Sequence, residues 1–400
     1  MEGLTGEQAL MQTLVENEVA LVTGVYGDPC TSLLDLMAAQ GLNVEISVEE
    51  KTAVAQALGA SVAGKRAIAA IKQVGVNVGI DPLVNAVTHG TGAGILIIAG
   101  DDPGAGKSTN EQDSRWYAKL AELPVLTPRD PDHLARAAAE SLELSEELGI
   151  PVMMQVTERL LHSQGRVGSY RVRSKGRFNR DRAWKNLILD RYKYFYREIY
   201  PKLVAHVEAS PLHKISKRRE SKEGVISCGF VSSLIEHENH FALGYAHPLP
   251  EKRLVEFLGG LERVWVVEEV APIIEESVLT LVGKHQLPAR IFGRLSGHLP
   301  RIGKIEKEHI AKALSFVPEG LNLDVQAHVS GSIMELPCGG FEMLYQVLDE
   351  LLPEDHLIAG DVGCSILHGY FPPQVIDTAF ALGTPIATAS GMSLSEKKGI

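Results

Sequence analysis

The chain has little of what would mark an oxidising compartment, a metal ribbon or a membrane. Its four cysteines, Cys30, Cys228, Cys338 and Cys364, lie far apart in 400 residues. That spacing argues against a disulfide framework and against a zinc ribbon, and it fits a reducing cytoplasm. No stretch approaches eighteen consecutive apolar residues, so a membrane span is not expected. The start, Met1-Glu2-Gly3, is acidic and leads into a polar amphipathic segment, unlike a signal peptide. There is no short-period repeat, and a net charge of −11 disfavours bulk nucleic-acid binding. What is present is ordinary for a globular protein: 45% hydrophobic and 22% charged residues, in a length that suits two or three domains.

Charge is spread unevenly. Residues 166–224 hold 17 Lys and Arg against six Asp and Glu, within a chain that is acidic overall. Trp184, Tyr192, Tyr194, Phe195, Tyr196 and Tyr200 share this stretch. Basic residues interleaved with aromatics can mark nucleic-acid contacts. The acidity of the rest of the chain favours a linker with an amphipathic helix docked on a neighbouring domain.

The first third predicts alternating strands and helices. Thr5-Gly6-Glu7-Gln8 has capping-box spacing and opens a helix to about Asn17. Short apolar runs predict strands at 20–24, 43–48, 66–72, 95–99 and 151–157. Helices are predicted near 32–39 and 50–63, and from Asp130-Pro131 to a closing Gly149. This order implies a parallel, doubly wound α/β sheet, with ligands at the carboxyl ends of its strands. A second α/β unit is predicted from a strand at 225–229 entering a helix at Phe230, a helix at 254–261, a strand at 264–267 and a helix at 272–282. A third begins near Pro337, with a helix at 341–352, a strand at 357–359 and the Gly-rich turn Gly360-Asp361-Val362-Gly363-Cys364.

Three motifs suggest chemistry and fall short of it. Gly100 to Thr109 resembles a phosphate-binding loop, but its spacing is one residue too long and two carboxylates stand where amides should cradle phosphate. A polar loop at a strand end is the expectation. His237, His240 and His247 lack the pattern of a zinc site, and no metal ligand is assigned in this chain. Glu268-Glu269 suits the start of a helix, where its dipole favours acids. Glu50 also opens a helix after a strand, and from its setting alone it is a dipole-compensating surface carboxylate.

Several segments in order change the weight given to Glu50. They are Ser47-Val48-Glu49-Glu50-Lys51-Thr52-Ala53, Lys72-Gln73-Val74-Gly75-Val76-Asn77 through Asp81-Pro82, Asp101-Asp102-Pro103, and Asn110-Glu111-Gln112-Asp113-Ser114-Arg115. Together they resemble the pyrimidine-binding domain of the α subunit of indolepyruvate ferredoxin oxidoreductases, a thiamine diphosphate family. Tyr245 to Pro250 and Val266 to Glu269 resemble its transketolase-C-like domain. Gly360 to Cys364, Pro372-Pro373, Asp377-Thr378 and Leu382 to Ile386 resemble the opening of its diphosphate-binding domain.

The resemblance implies an α/β chain built of thiamine diphosphate-binding modules. Its parts would be a pyrimidine domain (1–165), a basic linker or helical insertion (166–224), a transketolase-C-like domain (225–330) and an incomplete diphosphate domain (331–400). It implies oxidative decarboxylation of a 2-oxo acid, such as an arylpyruvate, to an acyl-CoA, with electrons passed to ferredoxin. The cofactor acts as electron sink. Glu50 would be the acid that hydrogen-bonds the aminopyrimidine and activates the cofactor. Gly360, Asp361, Gly363, Cys364, Gly383 and Thr384 would contribute to cofactor binding.

The departures are specific. The family's Cys-Pro-x-Cys-Pro-His motif is replaced by Leu336-Pro337-Cys338-Gly339-Gly340, and neither cysteine clusters nor a Gly-Asp-Gly…Asn magnesium segment are found. Magnesium ligands and iron–sulfur clusters are therefore expected outside this chain, on a second subunit or a missing C-terminal segment. Residues 1–400 alone are expected to bind thiamine diphosphate weakly or not at all. The partners implied are a 2-oxo acid, coenzyme A, ferredoxin and a further chain in an oligomer. The altered Cys motif keeps open a non-oxidative decarboxylase or lyase, and a non-catalytic partner subunit is the remaining alternative.

Overall fold

A computed structural model describes residues 3–184, 188–218, 221–316, 342–352, 356–361, 374–379 and 383–394. The chain divides into two compact units, Met1–Gln326 and Ala327–Ile400.

The larger unit begins β1 (Leu4–Thr5), α1 (Gly6–Glu16), β2 (Leu21–Gly24), α2 (Cys30–Ala39), β3 (Val44–Ile46), α3 (Glu50–Val62), β4 (Ala67–Lys72) and α4 (Gln73–His89). There follow β5 (Ile95–Asp101), α5 (Ser114–Leu120), β6 (Val125–Leu126), α6 (Pro131–Leu148), β7 (Val152–Thr157), α7 (Glu158–His162) and β8 (Gln164–Gly165). Helices α8 (Arg180–Trp184), α9 (Ile188–Tyr194) and α10 (Tyr200–Ala209), with a π-helical turn at Phe195–Ile199, lead to a second set of strands. These are β9 (Lys214–Ser216), β10 (Glu223–Cys228), β11 (His240–Leu243), β12 (Tyr245–His247), β13 (Arg263–Val267) and β14 (Arg290–Phe292). Helices α11 (Glu251–Leu258), α12 (Ile273–His285) and α13 (Lys307–Leu314) accompany them.

Among the described residues, the first sheet has the order β12-β6-β7-β5-β4-β2-β3. Its neighbours are parallel except at β12, which pairs antiparallel to β6. Strands β4 and β5 are buried at every residue, as the unbroken apolar runs of a two-face-covered parallel sheet require. A second sheet, β14-β13-β10-β11-β9, is parallel except at β9. The segment expected to belong wholly to the middle module thus lends a strand to the first sheet.

The predicted caps are formed. Thr5 and Gln8 close a reciprocal capping box on α1. Asp130 accepts from the His133 amide, Pro131 starts α6, and Gly149 ends it at φ 62°. Part of the basic stretch lies on the first sheet's helices, while its end supplies β9 to the second sheet. Arg182 donates to the carbonyls of Leu148 and Gly149 at the end of α6 (2.8 and 3.0 Å) and to Val87 near the end of α4 (3.1 Å). A cation placed on two helix C-termini satisfies orphan carbonyls and suits both dipoles.

Two expectations need correction. The helix expected at Phe230 is a 3₁₀ turn, Phe230–Leu234, entered from Gly229 at φ 73°. The helix expected at 254–261 starts at Glu251 and stops at Leu258, because Gly259-Gly260 follows and Gly260 takes φ 84°.

In the smaller unit, α14 (Glu342–Leu351) and α15 (Pro385–Leu394) are helical. Ala359 and Thr378 form a parallel bridge, and the Gly360 amide donates to the Thr378 carbonyl at 2.7 Å.

Candidate active site

The connections of the first sheet leave β2 in two directions: β3 lies on one side of it and β4 on the other. Such a switch point opens a crevice at the carboxyl ends of the strands, where open α/β sheets bind ligands. The loop after β2, the N-terminus of α3 and the junction of β4 with α4 meet there.

Helix α3 is held to β2 by Thr23, whose hydroxyl donates to the Ala53 carbonyl at 2.8 Å. That contact fixes the first turn, where Glu49 is the N-cap and Glu50 the first helical residue. The two adjacent acids part company. Glu49 accepts from the Thr52 hydroxyl at 3.1 Å, along its own helix. Glu50 turns inward and is only 5% exposed. Its carboxyl rests against Gly75 on α4, where an added Cβ would overlap Oε1, Cγ and Cδ.

A carboxylate at a helix start is ordinarily favoured in its charged form. At Glu50 burial wins: desolvation raises the pKa, Glu49 adds repulsion, and Glu50's own amide opposes the rise only in part. The expectation of a surface, dipole-compensating Glu is therefore corrected. Val48, two residues before it, is 91% exposed, and Tyr26, in the loop after β2, is 54% exposed with its hydroxyl donating to Asp35 at 2.9 Å. A buried carboxyl whose pKa is raised by desolvation, at the mouth of such a crevice, fits a flat heteroaromatic ring that offers a ring nitrogen.

Lys72 closes the β4 side of the crevice. It is buried, packs against Gly27, and donates to the Lys107 carbonyl at 2.5 Å. Burial lowers its pKa, against the pull of Asp102 and Asp28. The loop that mimics a phosphate-binding motif is filled by its own acid. Asp102 accepts from the Lys107 amide at 2.8 Å and the Ser108 hydroxyl at 2.7 Å, where a phosphate would have to sit.

Behind the crevice lies a buried polar layer. Asp101 accepts from the Ser114 amide (3.2 Å) and the Gln155 amide (2.5 Å) through Oδ2, while its buried Oδ1 has no partner. Burial, reinforced by the Asp113 charge, pushes its pKa from an ordinary 3.8 to about 7. The folded state therefore holds a proton that the unfolded state releases. Stability from this group is present below about pH 4 and is lost as pH rises toward 7. Asp101→Asn is expected to flatten that slope, measured by denaturant unfolding at pH 5 and 7.5. An unchanged slope would show that Asp101 does not set it.

Glu268 carries the helix-start role expected of the Glu268-Glu269 pair. Its carboxylate accepts from the amides of Ile274 and Glu275 at 3.0 and 2.9 Å, at the start of α12. The histidines flagged earlier form no site. His240 lies in β11 against the Ser227 hydroxyl, and His237 bonds the Asn239 backbone. Among the described residues no group of three His, Cys, Asp or Glu is placed to hold a metal ion.

In the smaller unit, Asp361 accepts from the Gly383 amide through both oxygens (3.0 and 3.1 Å), so two expected cofactor residues are adjacent. Thr384 follows and Gly360 precedes them, while Gly363 and Cys364 lie outside the described residues. Sequence reasoning quoted Lys72 and Gly75 within a family segment without giving either a role, and it missed Tyr26. Only the glycine had a visible signal, since Gly75 and Gly79 interrupt a Val-rich segment at one-turn spacing.

Residues 4–119 match the family model "Thiamine pyrophosphate enzyme, N-terminal TPP binding domain". With this fold and crevice, the match defines a thiamine pyrophosphate enzyme chain. The chain is 31% identical to indolepyruvate oxidoreductase subunit IorA of Methanothermobacter thermautotrophicus, over 99% of its own length and 69% of the relative's. It is 29% identical to the subunit of that name from Archaeoglobus fulgidus, over 98% and 68%. The chain belongs to the indolepyruvate oxidoreductase subunit IorA family. Two solved structures share its fold at 14% identity. A 2-oxoglutarate:ferredoxin oxidoreductase from Magnetococcus marinus has a TM-score of 0.61, covering 78% of this chain and 64% of that one. A split-gene transketolase, in an inactive β4 tetramer, has a TM-score of 0.53, covering 78% and 98%.

Proposed function

We propose that this chain is the α-type subunit of an assembly that oxidatively decarboxylates a 2-oxo acid of the arylpyruvate class, such as indolepyruvate, to an acyl-CoA, with ferredoxin as electron acceptor. Membership of the IorA family supports the activity. The observation that carries the assignment to this chain is the buried carboxyl of Glu50, seated on Gly75 at the switch-point crevice. When bound, thiamine diphosphate supplies the nucleophilic carbon and the electron sink.

The chain's own residues supply the rest. Glu50 hydrogen-bonds the aminopyrimidine as the acid–base group, and burial raises its pKa above the ordinary carboxylate value, which favours its protonated form. Gly360, Asp361, Gly363, Cys364, Gly383 and Thr384 are assigned to the diphosphate-type module at 331–400. The modules at 1–165, 166–224 and 225–330 keep the roles given above.

Magnesium ligands and iron–sulfur clusters are assigned to partner regions. No helix among the described residues is long and apolar enough to cross a membrane, and a cytoplasmic setting is proposed. The test is reduction of a viologen dye by the reconstituted assembly, dependent on both arylpyruvate and coenzyme A. Release of aldehyde without an electron acceptor would replace this reading with a non-oxidative one.

A further inference from the structure

Gly75 is the third residue of α4, inside a helix where alanine is intrinsically preferred. An ideal Cβ at this position would overlap the Glu50 side chain from Cγ to Oε1, a flexible side chain rather than backbone. One turn on, Gly79 differs. A Cβ there would come within 3.1 Å of Val54 Cγ2 and 3.3 Å of Ile71 Cδ1, and 3.6 Å from the Glu50 carbonyl, touching packing but not the carboxyl. The two glycines let α4 lie close on α3, and only Gly75 makes the seat of the acid.

We propose that Gly75 is a positioning residue for catalysis: its missing side chain is the space that holds the Glu50 carboxyl inward at the crevice. This rests on Glu50 being the cofactor-activating acid. Because a carboxyl at the end of a flexible side chain gives way before backbone does, Gly75→Ala displaces the acid while the helix persists. The acid then swings toward solvent, away from the geometry that general acid–base catalysis needs.

The experiment uses the complete assembly with thiamine diphosphate and magnesium. It reads hydrogen–deuterium exchange at the reactive carbon of the bound cofactor by NMR, alongside cofactor affinity and melting temperature. Gly75→Ala is expected to slow exchange by about 100-fold, close to the effect of Glu50→Gln. Gly79→Ala is expected to leave exchange within about threefold. In a Glu50→Ala background, where the seat is empty, Gly75→Ala should raise the melting temperature by about 2–4 °C through helix propensity and cause no further loss of exchange. That double variant remains informative if Gly75→Ala alone fails to fold. Exchange within threefold of the unchanged protein in Gly75→Ala, with Glu50→Gln inactive, overturns the role of Gly75 and spares that of Glu50. Exchange that survives Glu50→Gln overturns the reading of Glu50 itself.

Discussion

Glu50→Gln in the complete assembly lowers turnover of the 2-oxo acid by about two orders of magnitude or more, with little change in folding. The amide is nearly isosteric, so it keeps the seat over Gly75 and the packing of α3 on α4. What it loses is the carboxyl's ability to give and take a proton. In the unaltered protein burial, with help from the Glu49 charge, raises the carboxyl's pKa against the helix-start environment. Neighbouring acids offer no substitute: Glu49 is turned onto Thr52, and Asp101 lies behind the crevice against Ser114 and Gln155. Steady-state viologen reduction with saturating thiamine diphosphate measures the effect. Turnover within threefold of normal would remove Glu50 from the site.

Local chemistry in the sequence gave reliable signals, and burial gave almost none. Thr5-x-x-Gln8 and Asp130-Pro131 with Gly149 encode their caps within a few residues, and each forms as expected. Strands β2, β3, β4, β5 and β7 were legible as short runs, β4 and β5 most clearly because parallel strands covered on both faces are apolar throughout, whereas the two-residue β6 was missed. Helix α4 was hidden. Gly75, Gly79 and Pro82 lower helix propensity across it, and close contact with α3 overrides that preference. Strand β12 was not expected: its segment resembled the middle module, and its partner, β6, lies more than 100 residues earlier in the chain. At the site, the segment around Glu50 was recognisable as a motif. Which of Glu49 and Glu50 faces inward depends on the Thr23–Ala53 bond and on the space at Gly75, both tertiary facts.

Arg115 shows the same limit most sharply, and its removal is expected to give the largest loss of stability. The segment Asp113-Ser114-Arg115 was visible, but not that the arginine joins the two sheets. Arg115 is 1% exposed. It forks onto Asp113 (2.9 and 2.6 Å) and reaches Glu268 (2.9 Å), the Cys228 sulfur (3.0 Å) and the carbonyls of Glu269 and Ala271 (2.7 and 3.0 Å). Every guanidinium N–H is used, in a planar fork that lysine cannot reproduce. Arg115→Met keeps much of the volume and leaves Asp113 and Glu268 buried without their cation. Stranding buried charge in this way costs about 3–5 kcal/mol. The exposed Arg218–Glu238 pair provides the contrast, and Arg218→Met should cost less than about 1 kcal/mol.

The loss at Arg115 should also depend on pH. Burial already pushes the Glu268 pKa to about 7 against Arg115's opposing pull, and removing that pull raises it further above its ordinary 4.5. A raised folded-state pKa gives stability that is present below the unfolded value and lost as pH rises through the folded one. The variant is therefore expected to be least destabilised near pH 5 and most near pH 8, by denaturant unfolding at both. A cost below 1 kcal/mol at pH 8, or one that shrinks as pH rises, would show that Asp113 and Glu268 find other partners and that the guanidinium is not what holds the two sheets together.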